Sequence, residues 1–454
     1  MAASRDAAAL PLPPGPSALR FLYRAIRDHR EDRLAAIASL TADFGDIAYL
    51  RILGARFCLL AHPDHIEYVL VKNPANFLKS RDYRALEQVL GKGLLTSEGA
   101  AWQRNRKLIQ PAFRHESIAI YADIMSQVTA RSLDRWRDGE TRDVHAEMMA
   151  LALEIVGKSL FGSDVTGKTE QVGKSMEIAL RGFPTQALLA FAWPARMAIP
   201  KSRGLRRATR ELDALINTMI AHRRAATHAS SDLLQMLLDS RDEQGTHMTD
   251  AQLRDELMTL FLAGHETTAN ALSWTWLLLS QNPAAESALH RELRAVLGDR
   301  APALSDLPNL PYAEMAIKES MRLYPPAYAI GRRSIEAFEL GGHSIPAETN
   351  IILLPWLTHR DPRFYSQPAD FVPERWLGDP IRNGRLPRFA YFPFGGGPRV
   401  CVGAGFAMME AVLLLATIAQ RFSLRSAPGS RVEVFPSVTL RPKSGVFMSL
   451  HARS

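Results

Sequence analysis

The chain has 454 residues, 47% hydrophobic and 22% charged, with 28 prolines scattered along it and neither repeats nor low-complexity tracts, so one large globular core is expected rather than linked modules. Two cysteines, Cys58 and Cys401, are too few and too differently set to staple a fold or build a four-ligand zinc site. The formal charge of +8 admits an acidic protein partner, a membrane surface or nucleic acid, but with no zinc finger and no aromatic RNA-binding signature nucleic acid is not expected, and most basic residues read as solvated surface.

In chain order, Met1 to Leu10 is too polar and too short for a signal h-region or a membrane anchor, so a soluble protein is predicted. Leu10 to Pro16 is an extended, proline-stiffened lead-in. Asp46 to Leu60 alternates as a hairpin with Gly54-Ala55 as its two-residue turn, and Cys58 in its second strand is a small core residue. Ser97 to Trp102 leads into a basic helix that puts Trp102 and Arg106 on one face. Thr249 and Gln252 form a capping box that opens a helix running to Gln281. At 1.5 Å per residue it spans roughly 48 Å. Its middle (Met258, Leu260, Phe261, Leu262, Ala263) is apolar nearly all round, so it should cross the interior. Pro283 to Val296 starts with proline and stops at Gly298, another helix. After Pro325 come short strand-like pieces at 329–334, 338–345 and 349–354, and a last apolar helix runs from Gly403 to about Ala419. No strand–helix alternation or glycine fingerprint supports a dinucleotide-binding domain. The expected class is mainly α with small β-sheets.

Cys401 lies in Phe394-Gly-Gly-Gly-Pro-Arg-Val-Cys-Val-Gly403, just ahead of that last helix. Gly395, Gly396 and Gly397 let backbone N–H groups approach a large anion, Pro393 and Pro398 stiffen the loop, and a helix N-terminus favours thiolate over thiol. A buried structural cysteine beside a flexible loop is the plainer alternative. The arrangement FxxGxxxCxG resembles that of the cytochrome P-450 haem-thiolate monooxygenases, and three further motifs fall in that family's order: Ala263-Gly-His-Glu-Thr-Thr268, Glu319-Ser-Met-Arg322 and Pro373-Glu-Arg-Trp376. Trp376 departs from the pattern, which usually has Phe there.

The resemblance, which runs from about Pro14 to the C-terminus, implies one cytochrome P-450 domain over 1–454, with haem b between the long central helix and the helix after the Cys401 loop. It implies Cys401 as the iron ligand, set among Phe394, Gly395 and Gly403, with Trp102, Arg106, Arg332 and Arg399 on the haem propionates; Arg333, adjacent to Arg332, is the alternative. Thr267 and Glu266 would relay protons for oxygen activation, with Ala263 and Gly264 leaving room for dioxygen and substrate; otherwise Thr267 bonds back to its own helix and Glu266 pairs with an arginine. His265 would stand outside the relay. Glu319, Arg322 and Arg375 would form a buried structural network. Ala263, Ala327, Ile330 and Val438 would line a lipophilic pocket, with Phe183 to Pro194 as an apolar mouth and Arg81 or Arg84 as possible carboxylate sites. The implied reaction is hydroxylation or epoxidation of a lipophilic compound, a terpenoid or fatty acid, using dioxygen and two electrons from a ferredoxin and its reductase, steered by Arg104, Lys107 and Arg114. The resemblance further implies a cytoplasmic monomer without integral membrane association. The competing readings are a peroxide-using enzyme of the same fold and a haem-binding sensor without turnover.

Overall fold

The computed structural model describes residues 10–27, 33–52, 54–162, 169–194, 197–225 and 232–453; the polar N-terminus read above lies almost wholly outside them. Helices dominate. The capping box forms as expected: Thr249 accepts from the Gln252 backbone, Gln252 reaches back, and the central helix runs Asp250–Gln281. Helix Pro283–Leu297 ends at Gly298, whose φ is +56°. Helix Ala404–Arg421 starts on Gly403. This last helix is long and apolar enough to cross a membrane, the only such helix among the described residues, and it is packed into the core instead.

Twelve strands are described: β1 (Ile47–Ile52), β2 (Ala55–Leu60), β3 (Phe77–Lys79), β4 (Thr141–Asp143), β5 (Ile330–Ser334), β6 (Phe338–Leu340), β7 (His343–Ile345), β8 (Thr349–Leu353), β9 (Phe422–Ser426), β10 (Val434–Pro436), β11 (Leu440–Pro442) and β12 (Phe447–Ala452). They form one five-stranded sheet, β1-β2-β8-β5-β3, and three smaller ones, β4-β12-β9, β10-β11 and β6-β7. Ile52 pairs with Ala55, so the first hairpin turns one residue earlier than the sequence suggests: Gly54, at φ +82°, fills its second turn position, and Ala55 already belongs to β2. The proline-rich lead-in is extended and docked, Tyr49 and Ser344 donating backbone hydrogen bonds to Pro14 (2.8 Å) and Pro11 (3.0 Å).

The main core surrounds the central helix. Its closest neighbour is the helix Val144–Phe161, and the approach is tight at Gly264, where an added Cβ would lie 2.9 Å from Val156. Gly264 therefore permits helix packing rather than making room for dioxygen, which corrects the sequence expectation. A second core fills the space between the large sheet and the segments around Ile66 and Phe389, the floor on which the Cys401 loop rests.

Candidate active site

The Cys401 loop is shaped by what lies beneath it. Gly395 and Gly397 sit at φ +72° and +65°, where an L side chain is strained. A Cβ on Gly397 would strike the Leu70 carbonyl oxygen at 1.7 Å, and one on Gly396 would meet the Phe389 ring at 2.5 Å. Gly396 and Gly397 thus seat the loop on its floor, and Gly395 supplies a positive φ, a reason beyond the anion approach inferred from sequence. The Cys401 N–H donates to the Phe394 carbonyl at 2.9 Å, and Arg106 donates to the Val400 carbonyl at 2.8 Å. Burial pushes the Cys401 thiol up from its ordinary value, against the Gly403 N–H and the Arg106 charge. Cys401 is nevertheless accessible. A side chain hemmed in by protein and still accessible faces an internal hollow, and a thiolate in that setting needs a cation beside it.

One stripe of the central helix is also uncovered. Ala263 is exposed and Thr267, four residues on, is half-buried, while Leu262, His265, Glu266 and Thr268 are buried. The Thr267 hydroxyl donates to the Ala263 carbonyl at 2.7 Å. Glu266 lies on another face, where it accepts from Thr439 (2.6 Å) and Asn270 (3.2 Å), with an Arg441 nitrogen at 3.7 Å. Both arrangements weighed against the relay, the back-bonded threonine and the arginine-paired glutamate, are therefore realised in the geometry. Burial, followed by the Arg441 charge, drives the His265 imidazole down to about 3, so it is neutral. Ala327, Ile330 and Val438 are half-buried, and Ile330 reaches within 3.7 Å of the position a Gly395 Cβ would take.

Positive charge gathers on one side. Lys79 and Arg332 are paired directly across β3 and β5, and like charges in that position repel. The Arg399 guanidinium packs over the Trp102 ring at 4.4 Å and pairs with Glu98. Burial, then Arg332 and Arg399, hold the Lys79 ammonium well below its usual value. Arg333 points to the other face of β5 and pairs with Glu348, so of the two adjacent arginines Arg332 belongs to this cluster. Sequence reasoning missed Lys79 and Glu98; the β3–β5 pairing reveals the first, and the ion pair with Arg399 reveals the second. An accessible thiol in need of a cation, apolar walls and a cationic cluster short of anions fit a thiolate-ligated haem with two carboxylates.

Buried Glu319 accepts five hydrogen bonds: from Arg322 Nε (2.9 Å) and Nη2 (2.8 Å), Arg375 (3.1 Å), the Val372 backbone (3.0 Å) and the Trp376 indole (3.0 Å). The tryptophan that departs from the family pattern thus supplies a donor that phenylalanine lacks. Other expectations need correction. Arg84 is engaged with the carbonyls of Ala190, Trp193, Pro194 and Met197, stitching down the end of the helix Thr169–Ala192, so it does not await a carboxylate, while Arg81 lies 3.7 Å from Glu348. That helix continues through Pro184; Leu188 is exposed while Ala190 is buried, so the supposed mouth is half core. Arg104 and Lys107 are paired with Asp242 and Glu243.

The family model described as Cytochrome P450 matches residues 13–448. The chain is 37% identical to "Cyclooctatin synthase" of Streptomyces melanosporofaciens over 90% of its own length and 89% of that protein's. It is 34% identical to "Cyclooctat-9-en-7-ol 5-monooxygenase" of the same organism, covering 87% and 86%. With "Pentalenene oxygenase" of Streptomyces avermitilis the identity is 31%, over 89% and 88%.

Proposed function

We propose, from the premise that this chain belongs to the cytochrome P450 family and is a haem-thiolate monooxygenase, that it oxidises a lipophilic ring compound of the terpenoid kind, with Cys401 as iron ligand and Thr267 and Glu266 as proton relay. Haem bound through a thiolate supplies dioxygen activation and insertion of one oxygen atom into the substrate. The chain's own part is positional and electrostatic. The glycine loop fixes the Cys401 sulfur at the head of a helix, and Gly403 and Arg106 offset part of its charge. Lys79, Arg106, Arg332, Arg399 and the Trp102 N–H would hold the two carboxylates, which would relieve the repulsion among the cations. Ala263, Ala327, Ile330 and Val438 offer the substrate an apolar wall that keeps water away. The Thr267 hydroxyl faces the hollow; its hydrogen can turn from the Ala263 carbonyl, and its oxygen can accept a proton's approach from the direction of Glu266.

The observation that carries this reading is the uncovered stripe from Ala263 to Thr267, together with a Cys401 that is surrounded by protein and still accessible. The substrate class is supported by the apolar wall and by relatives named for pentalenene and cyclooctat-9-en-7-ol. A panel monitored by the low-to-high-spin shift tests it. Cyclic olefins and their alcohols should give the largest shifts; a response confined to charged, polar compounds would refute the substrate class. For the relay, Thr267→Ala should lower product per electron pair by roughly tenfold or more, with peroxide released instead. A ferredoxin with its reductase is the proposed electron source, and the protein is proposed to work as a single-domain monomer in the cytoplasm.

A further inference from the structure

Glu266 faces away from the hollow, into a polar region inside the protein. Four elements converge there: the central helix with His265, Glu266 and Asn270, the helix Val144–Phe161 with His145, β11 with Arg441, and the helix Thr169–Ala192 with Glu177. Among the described residues, six buried side-chain atoms of this group lack a protein hydrogen-bond partner: His145 Nε2, both ring nitrogens of His265, Glu266 Oε2, Asn270 Oδ1 and Arg441 Nη1. They include a donor that cannot accept, acceptors that cannot donate and imidazoles able to do both, the mixture that bridging water satisfies. A dry core would not gather six such atoms along one side of a helix.

The same region connects to the surface. Arg181 pairs with Glu177, Glu177 with Arg441, and Arg441 lies 3.7 Å from Glu266; the side chains are 61%, 31%, 7% and 2% exposed in that order. The series descends from solvent to the middle of the central helix. At 3.7 Å, Arg441 Nη1 attracts Glu266 without closing a hydrogen bond, which leaves it free to bind water.

We propose that this region is a hydrated chamber serving as the proton inlet to Glu266, with Glu177 at its outer end and Arg441 as a positioning residue that orders the water between them. The inference rests on the relay reading of Glu266. A guanidinium does not give up its proton at working pH, so the proton moves through water and not through Arg441. In each turnover Glu266 passes a proton toward Thr267 and regains one from chamber water, which is replenished from solvent at Glu177. Only O–H bonds break and form, and the electrons come from the redox partner.

Glu177→Gln keeps the shape of the outer end and removes its charge. In haem-loaded protein supplied with a surrogate ferredoxin, its reductase and the olefin giving the largest spin shift, product per electron pair should fall roughly fivefold, and the solvent hydrogen isotope effect on turnover should rise. Glu211→Gln, which breaks a comparable pair with Arg207 on a nearby helix, should change neither. A crystal structure of the haem-loaded protein should show ordered water on Glu266 Oε2, Asn270 Oδ1 and Arg441 Nη1, a readout independent of activity and of any loss of folding. If Glu177→Gln leaves yield and isotope effect untouched while Glu266→Gln uncouples, the inlet is wrong and the relay stands. If Glu266→Gln also has no effect, both fall. A chamber without water overturns the inlet.

Discussion

At the scale of single residues, one buried carboxylate ties the helix Pro311–Leu323 to the segment around Trp376. Glu319 accepts from five donors with no exposure, and two of those donors, the Val372 N–H and the Trp376 indole, come from the segment that carries Arg375. Trp376→Phe restores the family's usual residue but removes one charge-assisted bond, so a loss of about 1–2 kcal/mol is expected, with haem content retained, by denaturant titration. Arg322→Met strands a buried charge and should cost about 3–5 kcal/mol, with haem-free protein as the product. Gly397→Ala adds strain at positive φ and a collision with Leu70, so it too should fail to hold haem, whereas Gly403→Ala, whose Cβ would meet only the Phe113 ring at 3.6 Å, should be far milder. The motif residues were legible in the sequence because their spacing is fixed by local geometry. The role of Trp376 was not, since a substitution read from sequence does not say which partner gains a donor.

Among elements, the pairing of β3 with β5 holds an information gap and a testable consequence. Alternation along β5 makes it certain that Arg332 and Arg333 face opposite ways, but only the partner strand decides which faces inward, and that pairing also brings in Lys79. Because burial and two arginines depress the Lys79 ammonium, the haem-free protein bears a cost that is full below the lowered value and eases as pH rises from there toward 10.5. Lys79→Met should therefore raise the thermal midpoint of haem-free protein. In haem-loaded protein the same change removes a carboxylate partner, and haem transfer to an acceptor globin should speed up about tenfold. A change of the same sign in both states would show that Lys79 does not meet the carboxylates. Helix boundaries were the more readable elements, since the Thr249–Gln252 box and Gly298 act within one turn, while the first hairpin slipped by one residue because Gly54 suits either turn position.

For the whole molecule, two buried carboxyls contribute a decline of stability with rising pH. Burial raises Glu256 and Glu410 to about 8, although Glu256 accepts hydrogen bonds from the Leu94 backbone and Asn105. The folded protein keeps these protons where the unfolded chain loses them, so the stability these two groups contribute is fully present below the ordinary carboxylate value of 4.5 and declines as pH climbs toward 8. Glu410→Gln should flatten that decline in denaturant midpoints measured across the range; an unchanged slope would show that Glu410 is ionised throughout. The net charge of +8 still favours an acidic electron donor, but with Arg104 and Lys107 already paired, reduction by a ferredoxin should weaken with salt and respond more to Arg114→Ala than to Lys107→Ala. Fold class and core helix were readable from pattern alone, whereas the five-strand order and the chamber beside Glu266 depend on contacts between residues far apart in the chain. The most direct measurement is the carbon monoxide difference spectrum of the reduced protein, wild type against Cys401→Ser. A thiolate-type band present in the first and lost in the second is predicted; the same band in both would contradict ligation through Cys401.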